Sequence, residues 1–196
     1  MLGNTSPKAL ELQTNLLILA LILILNLSLR FIDAYWAKGN LNKQYGIIPR
    51  RQFSLARIFL SNFLHGDRSH LFGNMPLLLT LGGMAMFPDR QLFWLATFII
   101  IIVIGLGIWL FGRPPSHIGA SGLLLGYFSY LLMRGVLEWE PFLIFITLFV
   151  LGLYRRLFGW VVFIGGRIST EGHFFGFLGG ILAAWFIAWL KATYSL

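Results

Sequence analysis

The chain has 196 residues, of which 58% are hydrophobic and 11% are charged, and its formal net charge is +8 at pH 7. Soluble domains are about 45–50% apolar and about 25% charged, so this composition, with a mean hydropathy of +0.79, excludes a soluble globular domain and a disordered chain. The absence of cysteine excludes disulfides, thiolate nucleophiles and cysteine-ligated metals. We therefore expect an all-α, multi-pass integral membrane protein.

Six apolar segments approach the length that a membrane-spanning helix needs, about 20 residues. These predicted spans cover residues 16–31 (extending as far as 36), 71–87, 92–111, 118–136, 141–158 and 172–190. The first has neither a basic start nor a small-residue cleavage site, so we interpret it as an anchor. One membrane domain over residues 16–191, between short tails 1–15 and 192–196, accounts for the whole pattern.

Two connecting segments are themselves partly apolar. Residues 37–68 mix basic and apolar side chains, which predicts a partly embedded loop with short helical pieces. Residues 161–166 are apolar but too short to cross, so we expect a loop that lies over the bundle. The lysines and arginines are scattered between the apolar runs. That distribution suits the phosphates of a lipid bilayer, and we predict no nucleic-acid partner.

Polar residues stand at the starts of the second and fourth spans. His70 and Asn74 are four residues apart and share one helical face, where both side chains can donate hydrogen bonds to a developing oxyanion. Ser121 lies in the first turn of the fourth span, between small residues that include Gly119 and Gly122. Free N–H groups at a helix start stabilise negative charge.

The sixth span brings a histidine and a second small face. Glycines spaced by four residues mark one face of each of two spans: Gly122 and Gly126, and Gly176 and Gly180. If these faces pack together, His173 reaches the hydroxyl of Ser121. Even-numbered helices of an up-and-down bundle run in one direction, so all these residues lie at a similar depth. A serine beside a histidine, with separate oxyanion donors, has the geometry of an activated nucleophile.

Each of these residues taken alone is more often structural. Small residues, serine and asparagine commonly serve helix packing in membranes, and His65 and His117 suit loop anchoring. A metal site is disfavoured because His65 and His70 are five residues apart and no His-Glu-x-x-His pattern occurs. We predict neither a metal nor another cofactor. Only the joint pattern favours a catalytic site.

That pattern resembles the rhomboid family of intramembrane serine proteases. The resemblance covers residues 46–184, and its motifs are the following: His65, His70 and Asn74 at intervals of five and four; Gly119-Ala120-Ser121-Gly122; and Gly172-His173 followed by Gly176 and Gly180. It implies a six-transmembrane-helix bundle with a long first loop. It also implies that the substrates are transmembrane proteins. The sequence does not give the oligomeric state.

The resemblance also implies roles for single residues. Ser121 is the nucleophile and His173 its general base, and His70, Asn74 and the Ser121 backbone N–H form the oxyanion hole. Glu171 is expected to cap the helix or contact a loop rather than complete a triad. The chain departs from the family at Leu125, where an aromatic residue often packs on the histidine ring, and a Trp-Arg pair is not evident in the first loop.

The sequence leaves two alternatives open, one for the orientation in the membrane and one for the catalytic activity. The resemblance implies a cell-membrane protein with a cytoplasmic N-terminus and an active site towards the outer face. Most basic residues, however, lie in the loops after the first, third and fifth spans, which indicates the reverse orientation under the positive-inside rule. A catalytically inactive rhomboid-like protein that binds transmembrane segments is the alternative function. A small transporter is disfavoured because spans two, three and six have no charge in their apolar cores.

Overall fold

A computed structural model describes residues 6–87, 89–114, 116–162 and 169–194. In this part of the chain all regular elements are helical, and one isolated antiparallel bridge joins Ile47 to His117. The α-helices are α1 (Pro7–Tyr35), α2 (Asn40–Tyr45), α3 (Leu55–Leu60), α4 (Arg68–Leu77), α5 (Gly83–Met86), α6 (Arg90–Phe111), α7 (Ser121–Glu138), α8 (Pro141–Tyr154), α9 (Leu157–Val162) and α10 (Thr170–Tyr194). The prediction of an all-helical fold is confirmed.

Among the described residues, three helices are long and apolar enough to cross a bilayer: α1, α6 and α10. They coincide with the first, third and sixth predicted spans. The second predicted span falls on α4 and α5, the fourth on α7 and the fifth on α8, which is a shorter apolar helix. The described chain is therefore a helical membrane protein, with three helices of full spanning length and three shorter helical segments packed among them.

Several predicted boundaries differ from the observed ones. The predicted N-terminal tail is helical from Pro7, because Ser6 accepts a hydrogen bond from the Ala9 N–H and Pro7 suits the first helical position. The fourth span begins at Ser121 rather than at residue 118, because Gly119 has a φ of 120°, which no right-handed helix contains.

The fifth span also ends earlier than predicted. Helix α8 stops at Tyr154, and a turn at Arg155 and Arg156 leads into α9. Two adjacent charged side chains interrupt the apolar run at that point. The predicted loop over 161–166 is wrong at its start, because α9 continues to Val162, and its residues 163–166 lie outside the described residues. Helix α10 begins at Thr170, two residues before the predicted start.

The second span changes its helical geometry midway. Pro76 lies inside α4 and has no N–H to donate, and a π-helical turn over Leu78–Gly82 follows before α5 begins. The Thr80 hydroxyl donates to the Pro76 carbonyl at 2.9 Å. This turn lies opposite the end of α8, where the Tyr154 hydroxyl meets Thr80 Oγ1 at 2.9 Å.

The long first loop contains the short helices that its sequence predicts. Helices α2 and α3 and a 3-10 turn over Ser61–Phe63 lie between α1 and α4. Helix α3 packs on α6, where Ile58 occupies the space above Gly105 that a β-carbon there would need. The backbones of Ile47 and His117 exchange two hydrogen bonds, at 2.9 and 3.0 Å. The first loop is thus attached to the segment that precedes α7.

Helices α7 and α10 pack most extensively of all helix pairs in the described chain. A β-carbon on Gly122 would lie 2.7 Å from the Gly172 carbonyl oxygen, and one on Gly176 would overlap the carbonyl of Gly122. A β-carbon on Gly180 would overlap the carbonyl of Gly126. The two glycine faces therefore meet backbone to backbone, and the starts of α7 and α10 lie side by side.

We expect Gly180→Ala to destabilise the protein by about 1–3 kcal/mol, because its methyl group forces α7 and α10 apart. Gly152→Ala is the matched control, since no atom lies within 4 Å of a β-carbon at that helical position. Thermal unfolding in detergent measures both. An unfolding temperature for Gly180→Ala equal to that of Gly152→Ala would contradict the tight contact.

Candidate active site

The serine and histidine from the predicted pair meet at the starts of α7 and α10. Ser121 is the first residue of α7, and its Oγ lies 2.9 Å from Nε2 of His173. His173 is buried with 2% of its surface exposed, whereas Ser121 is half-buried. The glycine contact between the two helices brings these side chains together. Ser121 is therefore partly exposed, while the imidazole of His173 is held inside the protein.

The hydrogen bonds of His173 fix its neutral tautomer. Its Nδ1 lies 3.0 Å from the carbonyl oxygen of Trp160, and a carbonyl only accepts, so Nδ1 carries the proton. Nε2 is then unprotonated and accepts the hydroxyl proton of Ser121. This is the arrangement in which a histidine can act as a general base for a serine. A backbone carbonyl occupies the orienting position that a carboxylate holds in a catalytic triad.

Trp160 also packs on the histidine ring. The two rings are stacked, with centroids 5.8 Å apart and an interplanar angle of 20°. Leu125, which stands where the family often has an aromatic residue, is instead fully buried in the core. The aromatic partner therefore comes from α9. Sequence reasoning missed Trp160 because no local pattern marks that position, which lies between the fifth predicted span and the apolar segment 161–166. The signal available was an aromatic residue 13 positions before His173.

The residues predicted for the oxyanion hole form a chain of contacts. The Asn74 amide nitrogen lies 3.2 Å from Nε2 of His65, and the rings of His65 and His70 are in edge contact with centroids 5.0 Å apart. A β-carbon on Gly119 would lie 2.8 Å from Nε2 of His70. His70 therefore lies against the backbone two residues before Ser121, and the described partner of the Asn74 amide is His65.

His70 and Asn74 lie in the first turns of helix α4. Asp67 caps the helix, accepting a hydrogen bond from the His70 N–H at 2.8 Å, and that bond lowers the pKa of the Asp67 carboxyl. Asn74 lies one turn beyond His70 and is buried. The spacing of four residues thus places both side chains on one face of α4.

The start of α7 is itself suited to an anion. Within the described chain no side chain caps this helix, whose N-cap residue is Ala120. The first-turn N–H groups, including that of Ser121, are therefore available to an anionic oxygen, and the helix dipole favours one there. A positive φ at Gly119 turns the chain so that Ser121 opens the helix.

Two further contacts join the segments before α7 and α10. The Arg113 guanidinium donates to Glu171 at 2.6 Å, which raises the pKa of Arg113, and Glu171 is thus a loop contact. Nδ1 of His117 lies 2.6 Å from Oγ of Ser169. The same Ser169 oxygen accepts from the Gly172 N–H at 3.1 Å and so caps the start of α10.

Apolar helices around a partly buried serine–histidine contact define a membrane protein with a candidate hydrolytic site. The model of the Rhomboid domain family matches residues 52–190. The chain therefore belongs to the rhomboid family.

Mycobacterial proteins are among its relatives. The uncharacterized proteins Rv1337 of Mycobacterium tuberculosis and Mb1372 of Mycobacterium bovis are each 36% identical to it over 152 residues, which are 73% of this chain and 63% of the relative. The uncharacterized protein ML1171 of Mycobacterium leprae is 29% identical over 133 residues, 64% of this chain and 53% of that protein. The chain thus spans less than two thirds of the length of these relatives.

The burial of His65 predicts a dependence of stability on pH. Burial lowers the pKa of His65, in the loop before α4, to about 4, whereas an unfolded histidine titrates near 6.5. Between these pH values the unfolded chain binds more protons, so stability falls as pH decreases from about 6.5 to 4, by about 3 kcal/mol. Chemical unfolding in detergent measures the slope. His65→Gln should flatten it, and equal slopes would contradict the burial of a neutral imidazole.

Proposed function

We propose that the chain is an intramembrane serine endopeptidase that hydrolyses peptide bonds in or near the transmembrane segments of other proteins. The observation that carries this proposal is the hydrogen-bonded series from Ser121 through His173 to the Trp160 carbonyl. It supplies a nucleophile, a base in the required tautomer and a group that orients the base. Membership of the rhomboid family supports the same reaction class.

The proposed reaction proceeds in two stages. Ser121 Oγ attacks the carbonyl carbon of the scissile bond and passes its proton to His173 Nε2, and the carbonyl oxygen becomes an oxyanion. The C–N bond then breaks and His173 gives the proton to the leaving amine, which leaves an acyl-enzyme ester on Ser121. In the second stage a water molecule gives a proton to His173 and attacks the ester carbon. The C–O bond to Ser121 then breaks, His173 returns the proton to Ser121 Oγ, and the acid product leaves.

The developing oxyanion needs donors near Ser121. The Ser121 backbone N–H at the uncapped start of α7 is one, and the side chains of His70 and Asn74 are proposed as the others. The position of His70 over Gly119 supports its part in this group. Asn74 has one amide hydrogen directed to His65, and the second remains for the oxyanion.

Hydrolysis also requires water within a bundle that excludes it. A cavity of about 20 Å³ lies beside Ser121 and is lined in part by the polar side chains of Ser61, Asn62 and His117. A single water needs about 10–15 Å³ of such space and two to four polar partners. This cavity therefore suits one water at the serine, which supports hydrolysis rather than binding alone.

The proposed substrate approaches from the lipid. Helix α8 packs mainly on α7, and between α8 and α5 lies an apolar cavity of about 340 Å³, lined among others by Phe87 and Phe142. The hydrogen bond between Thr80 and Tyr154 closes the other end of this gap. We propose α8 as the gate through which a transmembrane segment enters. That segment must unwind locally, because a helix buries its carbonyl groups in its own hydrogen bonds.

A six-helix, multi-pass arrangement in the cell membrane accompanies this proposal. The six segments would be α1, α4 with α5, α6, α7, α8 and α10. All starts of the even-numbered segments then share the side that holds Ser121 and His173. The basic residues of the first loop and of the turn between α8 and α9 would lie on that side as well, where they face the lipid headgroups.

Cleavage of a transmembrane reporter substrate by purified protein tests the proposal. We expect Ser121→Ala and His173→Ala to lower the cleavage rate at least about 10³-fold, because each removes one half of the dyad. Ser129→Ala is the matched control, since its hydroxyl also joins α7 to α10, by a bond to the Phe177 carbonyl at 2.7 Å, away from the dyad.

Labelling by a fluorophosphonate probe gives a second readout. The parent and Ser129→Ala should react with the probe, and Ser121→Ala should not. Equal cleavage by the parent and by Ser121→Ala would exclude the dyad. A stable parent that neither cleaves nor reacts would favour the non-proteolytic alternative, a rhomboid-like protein that binds transmembrane segments.

The oxyanion role of Asn74 makes a separate prediction. Asn74→Ala should lower kcat by about 10²–10³-fold with little change in KM, because the amide stabilises charge that exists only in the transition state. Asn26→Ala is the control, since Asn26 is also a buried asparagine and lies on α1, where it bonds the Ile22 carbonyl. Steady-state kinetics and thermal unfolding are measured together. Unchanged kcat in a folded Asn74→Ala variant would exclude the role.

A further inference from the structure

A second serine–histidine pair lies four residues before the dyad in each of the two segments. His117 precedes Ser121 by four residues and Ser169 precedes His173 by four, and the two pairs join the same two segments with serine and histidine exchanged. His117 Nδ1 lies 2.6 Å from Ser169 Oγ, and Ser121 Oγ lies 2.9 Å from His173 Nε2. We call His117–Ser169 the outer pair; like the dyad, it bridges the segment that leads into α7 and the start of α10.

The proton positions in the outer pair are fixed by its neighbours. His117 Nε2 lies 2.6 Å from the Arg113 carbonyl, so Nε2 carries the proton in the neutral ring. Nδ1 then accepts the hydroxyl hydrogen of Ser169, whose oxygen in turn accepts from the Gly172 N–H. Each polar atom of this pair has a partner, and His117 is 8% exposed. Because all these hydrogen bonds form together, they fix the orientation of the His117 ring and of the Ser169 hydroxyl.

The segment before Ser121 depends on bonds of this kind. Residues 112–120 are not helical where described, so no helical ladder positions Ser121 from its N-terminal side. The backbone bonds of His117 to Ile47 and of Gly119 to the Ser61 carbonyl attach the segment to the first loop. The side chain of His117 attaches it to α10.

The other described side-chain ties from this segment to α10 all involve Arg113, whose backbone N–H and guanidinium donate to Glu171 and whose guanidinium also donates to Thr170. The Arg113 side chain is 62% exposed, and an exposed ion pair contributes little to stability and is screened by salt. The glycine contacts between α7 and α10 set the distance between the helices. The bond between His117 and Ser169 joins the residues that precede the two helix starts, so it opposes a displacement of one start relative to the other.

We propose that His117 and Ser169 are positioning residues that hold the starts of α7 and α10 in register, so that Ser121 stays within hydrogen-bond distance of His173. A displacement of about 1 Å at a reacting group lowers rates by as much as about 10²-fold, so a small slip of one helix start is enough to matter. The effect on rate rests on the proposed protease function. The effect on the dyad's hydrogen bond does not.

Kinetics test the effect on rate. Ser169→Ala and His117→Ala should each lower kcat by about 10–100-fold with KM nearly unchanged, because the substrate-binding surface remains. The double variant should be no worse than either single one, since both remove the same bond. His117→Ala keeps the Ser169 cap on α10, so agreement between the single variants separates the pair from the cap.

Conservative replacements provide the rescue. In His117→Gln the amide can donate to the Arg113 carbonyl and accept from Ser169, and in Ser169→Thr the hydroxyl is kept, so both should retain kcat within about three-fold of the parent. Ser129→Ala again serves as the control for loss of a buried hydroxyl between the same helices. Thermal unfolding confirms that each variant is folded.

NMR spectroscopy reports on the hydrogen bond between Ser121 and His173 without requiring catalysis. With ¹⁵N-labelled histidine, the His173 Nε2 resonance is assigned from its change in Ser121→Ala. In Ser169→Ala this resonance should move towards its Ser121→Ala value, and in Ser129→Ala it should stay at the parent value.

The outcomes separate the two proposals. If the parent cleaves its substrate, and Ser169→Ala matches its kcat and its His173 resonance, positioning by the outer pair is overturned and the protease function stands. If the parent does not cleave but the resonance moves in Ser169→Ala, the protease function fails and positioning stands. A loss of kcat in Ser129→Ala equal to that in Ser169→Ala would also overturn the positioning role, because it would assign the loss to general packing.

Discussion

The rest of the site depends on the backbone-to-backbone contact between α7 and α10. Glycines on both helices face carbonyl groups of the partner at distances that leave no room for a β-carbon, with Gly122 opposite Gly172 and Gly180 opposite Gly126. In a bilayer, where burial of apolar groups gives little drive for association, close approach of this kind stabilises a helix pair through packing. It also sets the distance across which a short side chain such as serine can reach a histidine.

The second constraint is that polar groups inside this bundle must find partners. Carbonyl groups meet this need for both histidines at the helix starts, Trp160 for His173 and Arg113 for His117. Because a carbonyl only accepts, each contact also determines which ring nitrogen carries the proton. The same bonds that satisfy buried groups therefore prepare the imidazole of His173 to accept a proton, with a carbonyl in the orienting position.

The helical content and the faces of the longer helices follow from local pattern, and their prediction from sequence was accurate for α6, α10 and the short helices of the first loop. Boundaries were less accurate, because they depend on single residues: Ser6 and Pro7 start α1 early, and a positive φ at Gly119 delays α7. The π-helical turn after Pro76 left no trace in hydropathy, since a change of hydrogen-bond register does not alter the apolar pattern.

The sequence by itself determined that this is a helical membrane protein and which residues share a helical face, because composition and periodicity are local properties. Only the tertiary structure decided which side chains contact one another across helices and loops. In the structure, Trp160 packs on the ring of His173, whereas position 125, where the family often has an aromatic residue, is a leucine in the core. The structure also brings His117 into contact with Ser169. These contacts link residues far apart along the chain, and their geometry arises only when helices and loops pack together.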